Sequence, residues 1–199
     1  MNTREAAVLA LVDDEKKVLL CKRSLHLSRH PGEVCLPGGL RDDADRTLEE
    51  TAKRETREEV GIAEDAYTLC GEVPPMQAKA GTWVHTRVAR LNTPTTLVLN
   101  ASEVESAEWI PLEDFLSADH HSHFMYGDYM VHTFQTGSLT VFGLTAYLVI
   151  FVAMRVLDRL PSFDLLPQLT VHSYVDVEST IKEFFRIYSL SRPYTFGRL

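Results

Sequence analysis

Basic residues are in the minority in this chain: 20 Lys+Arg face 28 Asp+Glu, for a formal net charge of −8. The resulting field repels a polyanion, which argues against nucleic acid as the primary partner. Cysteine is scarce. Cys21, Cys35 and Cys70 make an odd count without Cys-x-x-Cys spacing, so neither a disulfide framework nor a zinc knuckle is indicated and a reducing, cytoplasmic setting is expected. Long apolar runs are also missing. The longest uncharged stretch, Val141 to Met154, falls short of the ~20 residues of a membrane span and has the length of a buried core helix. The opening MNTREAAVLALVDDEKK carries a short apolar run cut off by Asp13 and Asp14, which reads as a first strand rather than a signal segment. Neither internal repeats nor low-complexity segments are present.

What remains is ordinary globular material. At 199 residues, with 45% hydrophobic and 24% charged positions, the chain suits one domain with room for an appendage. Strands are expected at residues 6–12, 17–22, 67–73, 82–91, 108–110, 130–134 and 138–142, with a helix over 47–60 and another after Gly143. Long sheets between few helices cannot form regular βαβ crossovers throughout, so the expected class is α+β with a mixed sheet. Beyond Leu160 the composition changes: Pro161 and Pro167 interrupt helix formation. Val177, Ile181, Phe184, Phe185 and Tyr188 then recur at helical spacing, which predicts an appended amphipathic helix. The expected division is a domain over 1–160 and an extension over 161–199.

Chemistry concentrates in PGGLRDDADRTLEETAKRETREEVGI, Pro37 to Ile62. A Pro-Gly-Gly turn leads through an acidic loop to a helix whose start is marked by Thr47 and Glu50, a Thr-x-x-Glu capping box. On that helix Glu55, Glu58 and Glu59 stand at i, i+3 and i+4, so three carboxylates share one face and repel. A solvated face laced with salt bridges is the ordinary alternative. The helix, however, has only Leu48, Ala52 and Val60 obviously fit to bury, too little for a purely structural element. Divalent cations compensate clustered carboxylates economically. Hard ions such as Mg²⁺ or Mn²⁺ take oxygen ligands and share them with substrate phosphates. Arg54 is suited to orient a ligand carboxylate through a bidentate contact.

The string Arg54-Glu55-Thr56-Arg57-Glu58-Glu59-Val60-Gly61-Ile62, preceded by Gly38-Gly39, resembles the Nudix box G-x5-E-x7-R-E-U-x-E-E-x-G-U, with U a bulky apolar residue. Thr56 occupies a U position. The stretch from Gly39 to Arg54 is one residue longer than the general box and lacks the first Glu, for which Asp45 is the nearest stand-in. The upstream Leu19-Leu20-Cys21-Lys22-Arg23-Ser24 and Pro31-Gly32-Glu33-Val34-Cys35-Leu36-Pro37-Gly38-Gly39, then Asp42, resemble the signature of the Nudix subgroup that hydrolyses coenzyme A, with Leu36 in place of Phe. Glu103-Val104, Trp109-Ile110-Pro111-Leu112 and Gly143-Leu144-Thr145-Ala146 are similar to further segments of that subgroup, so the likeness runs over roughly residues 5–157.

This resemblance implies the Nudix fold, a mixed β-sheet sandwiched between α-helices, and a metal-dependent pyrophosphatase acting on a small molecule. Coenzyme A or acyl-CoA would be cut to 3′,5′-ADP and (acyl-)4′-phosphopantetheine. It implies Glu55, Glu58 and Glu59 as Mg²⁺ or Mn²⁺ ligands, Glu58, Glu59, Arg54 and Glu103 as catalytic residues, and Gly38 and Gly39 at the substrate. Lys22, Arg23 and Arg29 would supply a basic patch for the 3′-phosphate of coenzyme A. ADP-ribose or NADH remains the alternative substrate, and an inactive binding module of the same fold the alternative class.

Three features stand apart. Asp119-His120-His121-Ser122-His123 reads as a polar surface loop rather than a transition-metal site, because three histidines in one extended segment cannot all converge and no fourth ligand is near in sequence. The Phe184, Phe185 and Tyr188 stripe is expected to pack onto the domain. The terminal Gly197-Arg198-Leu199 partly resembles a Ser-Lys-Leu peroxisomal address, with Gly where Ser is expected.

Overall fold

The computed structural model describes residues 4–78, 81–127, 129–169 and 176–190. Ten strands and three α-helices follow in the order β1 (Glu5–Val12), β2 (Lys17–Arg23), β3 (Val34–Cys35), β4 (Gly38–Leu40), α1 (Leu48–Val60), β5 (Tyr67–Gln77), β6 (Trp83–Leu91), β7 (Val104–Pro111), β8 (His121–Tyr126), β9 (Tyr129–Thr136), β10 (Leu139–Phe142), α2 (Gly143–Leu157) and α3 (Val177–Leu190). The mixed sheet is organised on β1, which pairs parallel with β6 and antiparallel with β4. β1 meets β2 in register only at Val12↔Val18, since its first half is occupied by β4 through Ala6↔Leu40 to Val8↔Gly38. β2 carries β3 and β7, and β5 closes the other side against β6. β8, β9 and β10 form a second, antiparallel sheet.

Strand alternation divides the interior in two. Ala7, Leu9 and Leu11 of β1 with Leu19 and Cys21 of β2 pack against Ala52 and Val60 of α1. The intervening Ala10, Val12, Val18 and Leu20 face a larger core containing α2, Phe134 and Val141 of the second sheet, and Ile181, Phe184 and Phe185 of α3. The main sheet is thus sandwiched between α1 and the later helices, as the α+β expectation requires. α2 is buried over an unbroken run from Leu148 to Met154, a helix apolar on all sides rather than amphipathic. At roughly 1.5–3 kcal/mol per fully buried large side chain, it is a principal source of stability. No helix among the described residues is long and apolar enough to cross a membrane.

The aromatic stripe of α3 joins the same core as α2, with Phe151 and Phe184 meeting edge-to-face at 4.7 Å between centroids. The expected elements occupy their places, and the differences have simple causes. β3 and β4, at two and three residues, are too short to show a period and exist because β2 and β1 offer them partners. The Asp119–His123 stretch is not a loop throughout: from His121 onward it is strand β8, whose whole length pairs with β9. Half of the capping box forms, with Thr47 Oγ1 accepting from Glu50 N at 3.1 Å. The Glu50 carboxylate takes Arg46 N at 2.7 Å, one residue before the cap, where the Arg46 guanidinium also holds it. Thr56, at the position where the Nudix pattern has a bulky apolar residue, is fully buried and donates Oγ1 to Ala52 O at 2.7 Å, so its hydroxyl carries no desolvation penalty. Residues 197–199 lie outside the described residues.

Candidate active site

Helix α1 holds the carboxylates because both of its ends are well defined. Thr47 caps the start, and Gly61, at φ 73°, takes the left-handed turn that ends it with its N–H on Arg57 O. Over the intervening turns Glu55 and Glu59, four residues apart, face β4. Gly38 N donates to Glu59 Oε2 at 2.9 Å. A Cβ on Gly39 would stand 2.5 Å from the Glu55 carboxylate, and one on Gly38 only 2.4 Å from Ala7 O. The double glycine therefore serves two contacts: Gly38 lets β4 lie on β1, and Gly39 leaves room for Glu55.

The third carboxylate comes from a distant segment. The chain from Val98 to Asn100 runs along the end of α1, with Val98 N on Val60 O and Asn100 N on Glu59 O, each at 3.0 Å. Asn100 then makes an Asx turn, Oδ1 accepting from Ser102 N, while its Nδ2 donates to Glu103 Oε1 at 3.2 Å. Carboxylate oxygens of Glu55, Glu59 and Glu103 consequently lie within 4.8 Å of one another.

Three carboxylates so close cannot all remain charged without compensation. Glu59, 3% exposed, has its pKa pushed up to about 7 by burial and by the charges of Glu55 and Glu103, against the Gly38 N–H and the Arg23 charge. Burial also raises Glu55, with Arg54 opposing. A hard divalent cation fits this donor set: it takes oxygen ligands and offsets the repulsion that the arrangement carries.

Arg54 spans the entrance to this cluster. Its Nη1 reaches Glu55 Oε1 at 2.9 Å and Glu58 Oε2 at 3.0 Å, while Nε and Nη2 fork onto Asp45. Asp45 is buried, accepts additionally from Thr51 Oγ1 and Asp42 N, and is held well below the usual carboxylate range chiefly by Arg54. The acidic stand-in for the missing first Glu is thus the residue that anchors the arginine. Glu58 is half-exposed and turned to Arg54, outside the three-carboxylate group.

The basic residues separate. Arg23 points to the α1 side of the sheet, where its charge acts on Glu59 and on the Cys35 thiol. Its Nε is buried without a hydrogen-bond partner among the described residues. Lys22, the next residue on β2, leaves by the opposite face and pairs with Glu105 at 2.8 Å. Arg29 is exposed on the following loop, its carbonyl taking Arg23 Nη2 at 3.5 Å. The three cations therefore do not form one patch, and Arg23 alone adjoins the carboxylates. Two neighbours went unnoticed in the sequence. Asn100 had a signal, the Asx-turn pattern of Asn-Ala-Ser-Glu. Cys35, its thiol pushed up to about 12 by burial and by Glu59, had none.

A family model described as the NUDIX domain matches residues 1–127. A peroxisomal coenzyme A diphosphatase of Caenorhabditis elegans, ndx-8, is 46% identical over 181 residues, covering 87% of this chain and 77% of that protein. The peroxisomal coenzyme A diphosphatase NUDT7 of Mus musculus is 31% identical over 184 residues, covering 85% of this chain and 75% of the relative. Among solved structures, a binary complex of a C. elegans Ap4A hydrolase superposes with a TM-score of 0.48 at 26% identity, covering 55% of this chain and 81% of that one.

Proposed function

Since this chain belongs to the Nudix hydrolase family, we propose that it hydrolyses the pyrophosphate bond of coenzyme A or an acyl-CoA, giving 3′,5′-ADP and (acyl-)4′-phosphopantetheine. The observation that carries the chemistry is the meeting of Glu55, Glu59 and Glu103 within 4.8 Å beside the Gly38-Gly39 turn. The choice of substrate rests on the likeness, over most of the chain, to two proteins named as coenzyme A diphosphatases.

Glu55 and Glu59, with Glu58 within one helical turn as a further ligand, would hold a divalent ion, Mg²⁺ or Mn²⁺, beside Glu103, and the ion would neutralise phosphate charge and acidify a water. Arg54, anchored by Asp45, fixes the rotamer of Glu55. The Gly38 N–H fixes that of Glu59. Glu103, oriented by Asn100 rather than by an arginine, is the general base in this reading: it accepts the proton of the water whose oxygen bonds to phosphorus while the bridging P–O bond breaks. Arg23, whose charge acts on Glu59, is assigned to the substrate's phosphates. Lys22 and Arg29 lie to either side of it, and their contribution to the 3′-phosphate is through charge at a distance. The peroxisome named for both relatives is the proposed compartment, tested by imaging the tagged full chain.

The deciding experiment compares kcat/KM for coenzyme A, dephospho-coenzyme A and ADP-ribose, with EDTA as the control. A charge-assisted contact to the 3′-phosphate is worth about 1.5–3 kcal/mol, so coenzyme A should exceed its dephospho form by roughly ten-fold or more. Equal rates, or preference for ADP-ribose, overturn the substrate assignment. Absence of any metal-dependent turnover would favour an inactive binding module instead.

A further inference from the structure

The second sheet gathers histidines that the proposed reaction does not use. His121 and His123 lie two residues apart on β8 and so leave the sheet on the same face, while His123 stands directly opposite His132 on β9. His121 Nε2 and His132 Nδ1 are 2.7 Å apart. The ring centroids of His121 and His123 are 5.8 Å apart, and those of His121 and His132 are 5.0 Å apart. His120 does not belong to the group, since its Nδ1 reaches Gln135 O and its Nε2 faces Asp114. The objection raised by the sequence, that one extended segment cannot converge its histidines, is met by the pairing of strands: β8 supplies two rings and β9 the third.

We propose that His121, His123 and His132 form a binding site for a borderline transition cation, with Zn²⁺ the natural occupant and the remaining coordination position left to water. The tautomers favour this. His132 Nε2 donates to Leu165 O at 3.0 Å, which leaves the Nδ1 lone pair directed at His121. A ring nitrogen donating to a backbone carbonyl is the usual orienting partner of a metal-bound histidine. His132 is fully buried, and burial moves both His132 and His121 toward the neutral, ligating form. Around them stand Tyr147 of α2, edge-on to His132, and Phe163, stacked on His121 at 3.8 Å.

Binding requires the Nε2 proton of His121 to move to its Nδ1, which releases no net proton. Two Zn–N bonds of about 2.0–2.1 Å at a tetrahedral angle need the nitrogens roughly 0.6 Å further apart than the hydrogen bond holds them. The third ligand comes from His123, whose ring is solvent-exposed and, with its centroid 5.8 Å from that of His121, must turn to bring a nitrogen to the pair, because the three rings' nitrogens do not yet converge within 4.8 Å as the carboxylates of Glu55, Glu59 and Glu103 do. Because Leu165 O is tied to His132 and also accepts from Tyr147 Oη, an ion here would clamp the second sheet to the segment that leads toward α3.

The test is titration of the full chain with Co²⁺ alone, in excess Mg²⁺ to occupy the carboxylate cluster, followed by visible absorption and by competition with Zn²⁺. One Co²⁺ per chain, with the intense bands of a four-coordinate nitrogen site that Zn²⁺ abolishes, is expected for the wild type. His123→Ala, which alters only an exposed ring and leaves folding intact, should lose the bands. Glu59→Gln should keep them. Zn²⁺ should raise the melting temperature of the wild type and not of His123→Ala. Absence of such bands, or bands that survive His123→Ala and vanish in Glu59→Gln, would overturn the proposal.

Discussion

Asp45 grips Arg54 with both carboxylate oxygens, Oδ1 on Nε at 3.1 Å and Oδ2 on Nη2 at 3.0 Å, so that Nη1 is left for Glu55 and Glu58. Asp45 stands six residues after Gly39, where the general box has its first Glu, and the extra residue of this chain falls between Asp45 and Arg54, so the lengthened stretch still anchors the arginine. Replacing Asp45 by Asn should weaken the fork and lower kcat about ten-fold or more, with a stability cost of about 1–3 kcal/mol. Arg54→Lys keeps the charge, loses the planar fork, and should behave similarly. Steady-state kinetics and urea melts of both variants check this; full activity in Asp45→Asn would remove Asp45 from the account.

The two glycines should fail differently. Gly38→Ala places a methyl against backbone, 2.4 Å from Ala7 O, at φ 148°, and the expected outcome is loss of more than about 3 kcal/mol or failure to fold. Gly39→Ala meets only the movable end of Glu55. It should fold, with divalent-ion affinity and turnover reduced ten-fold or more. Calorimetric Mn²⁺ binding beside thermal melts distinguishes the two.

Two buried groups give opposite slopes to the pH dependence of stability. Glu59 keeps its proton in the fold up to about 7, whereas an unfolded glutamate loses it near 4.3, so its contribution is full below that value and is lost as pH rises toward 7. His132 is held down to about 4 chiefly by burial. Its contribution is full above the unfolded value near 6.5 and is lost as pH falls toward 4. His121, depressed to about the same value, adds to the slope of His132, and Glu55, raised by burial, adds to that of Glu59, so the two pairs oppose each other in the metal-free wild type. Glu59→Gln removes one falling contribution and should therefore show stability rising more steeply with pH between about 4.5 and 6.5 than the wild type does. Denaturant melts across that range are the measurement, and parallel profiles for the two proteins would contradict it.

Thr56→Val is the control. The hydroxyl bonds only to a helical carbonyl, Ala52 O, that already has a backbone donor. Removing a hydroxyl that only back-bonds within the helix should change stability by less than about 1 kcal/mol and leave kinetics unaltered. A large loss would show that the hydroxyl has a second role.

Local order was written plainly in the chain. The spacing of Glu55 and Glu59, the Thr47 cap and the Gly61 stop are relations within a few residues, and helical geometry turns them directly into one acidic face. β1, β2 and β6 were legible because their apolar residues line faces buried along their length, and α2 because its long uncharged run is buried on every side. Contacts between remote segments were not legible from spacing. Glu103 joins Glu55 and Glu59 because Asn100 and Val98 bond to the last carbonyls of α1, and no local pattern encodes that meeting. Lys22 and Arg23 look like one basic cluster in sequence, yet the pleat sends them to opposite faces. β4 is a strand only because β1 diverges from β2 and leaves an edge to pair with. His121 and His123 become partners of His132 only when β8 finds its register on β9. Short-range spacing is set by the covalent chain and the helix or strand period, whereas which faces meet is decided by the packing of the whole core.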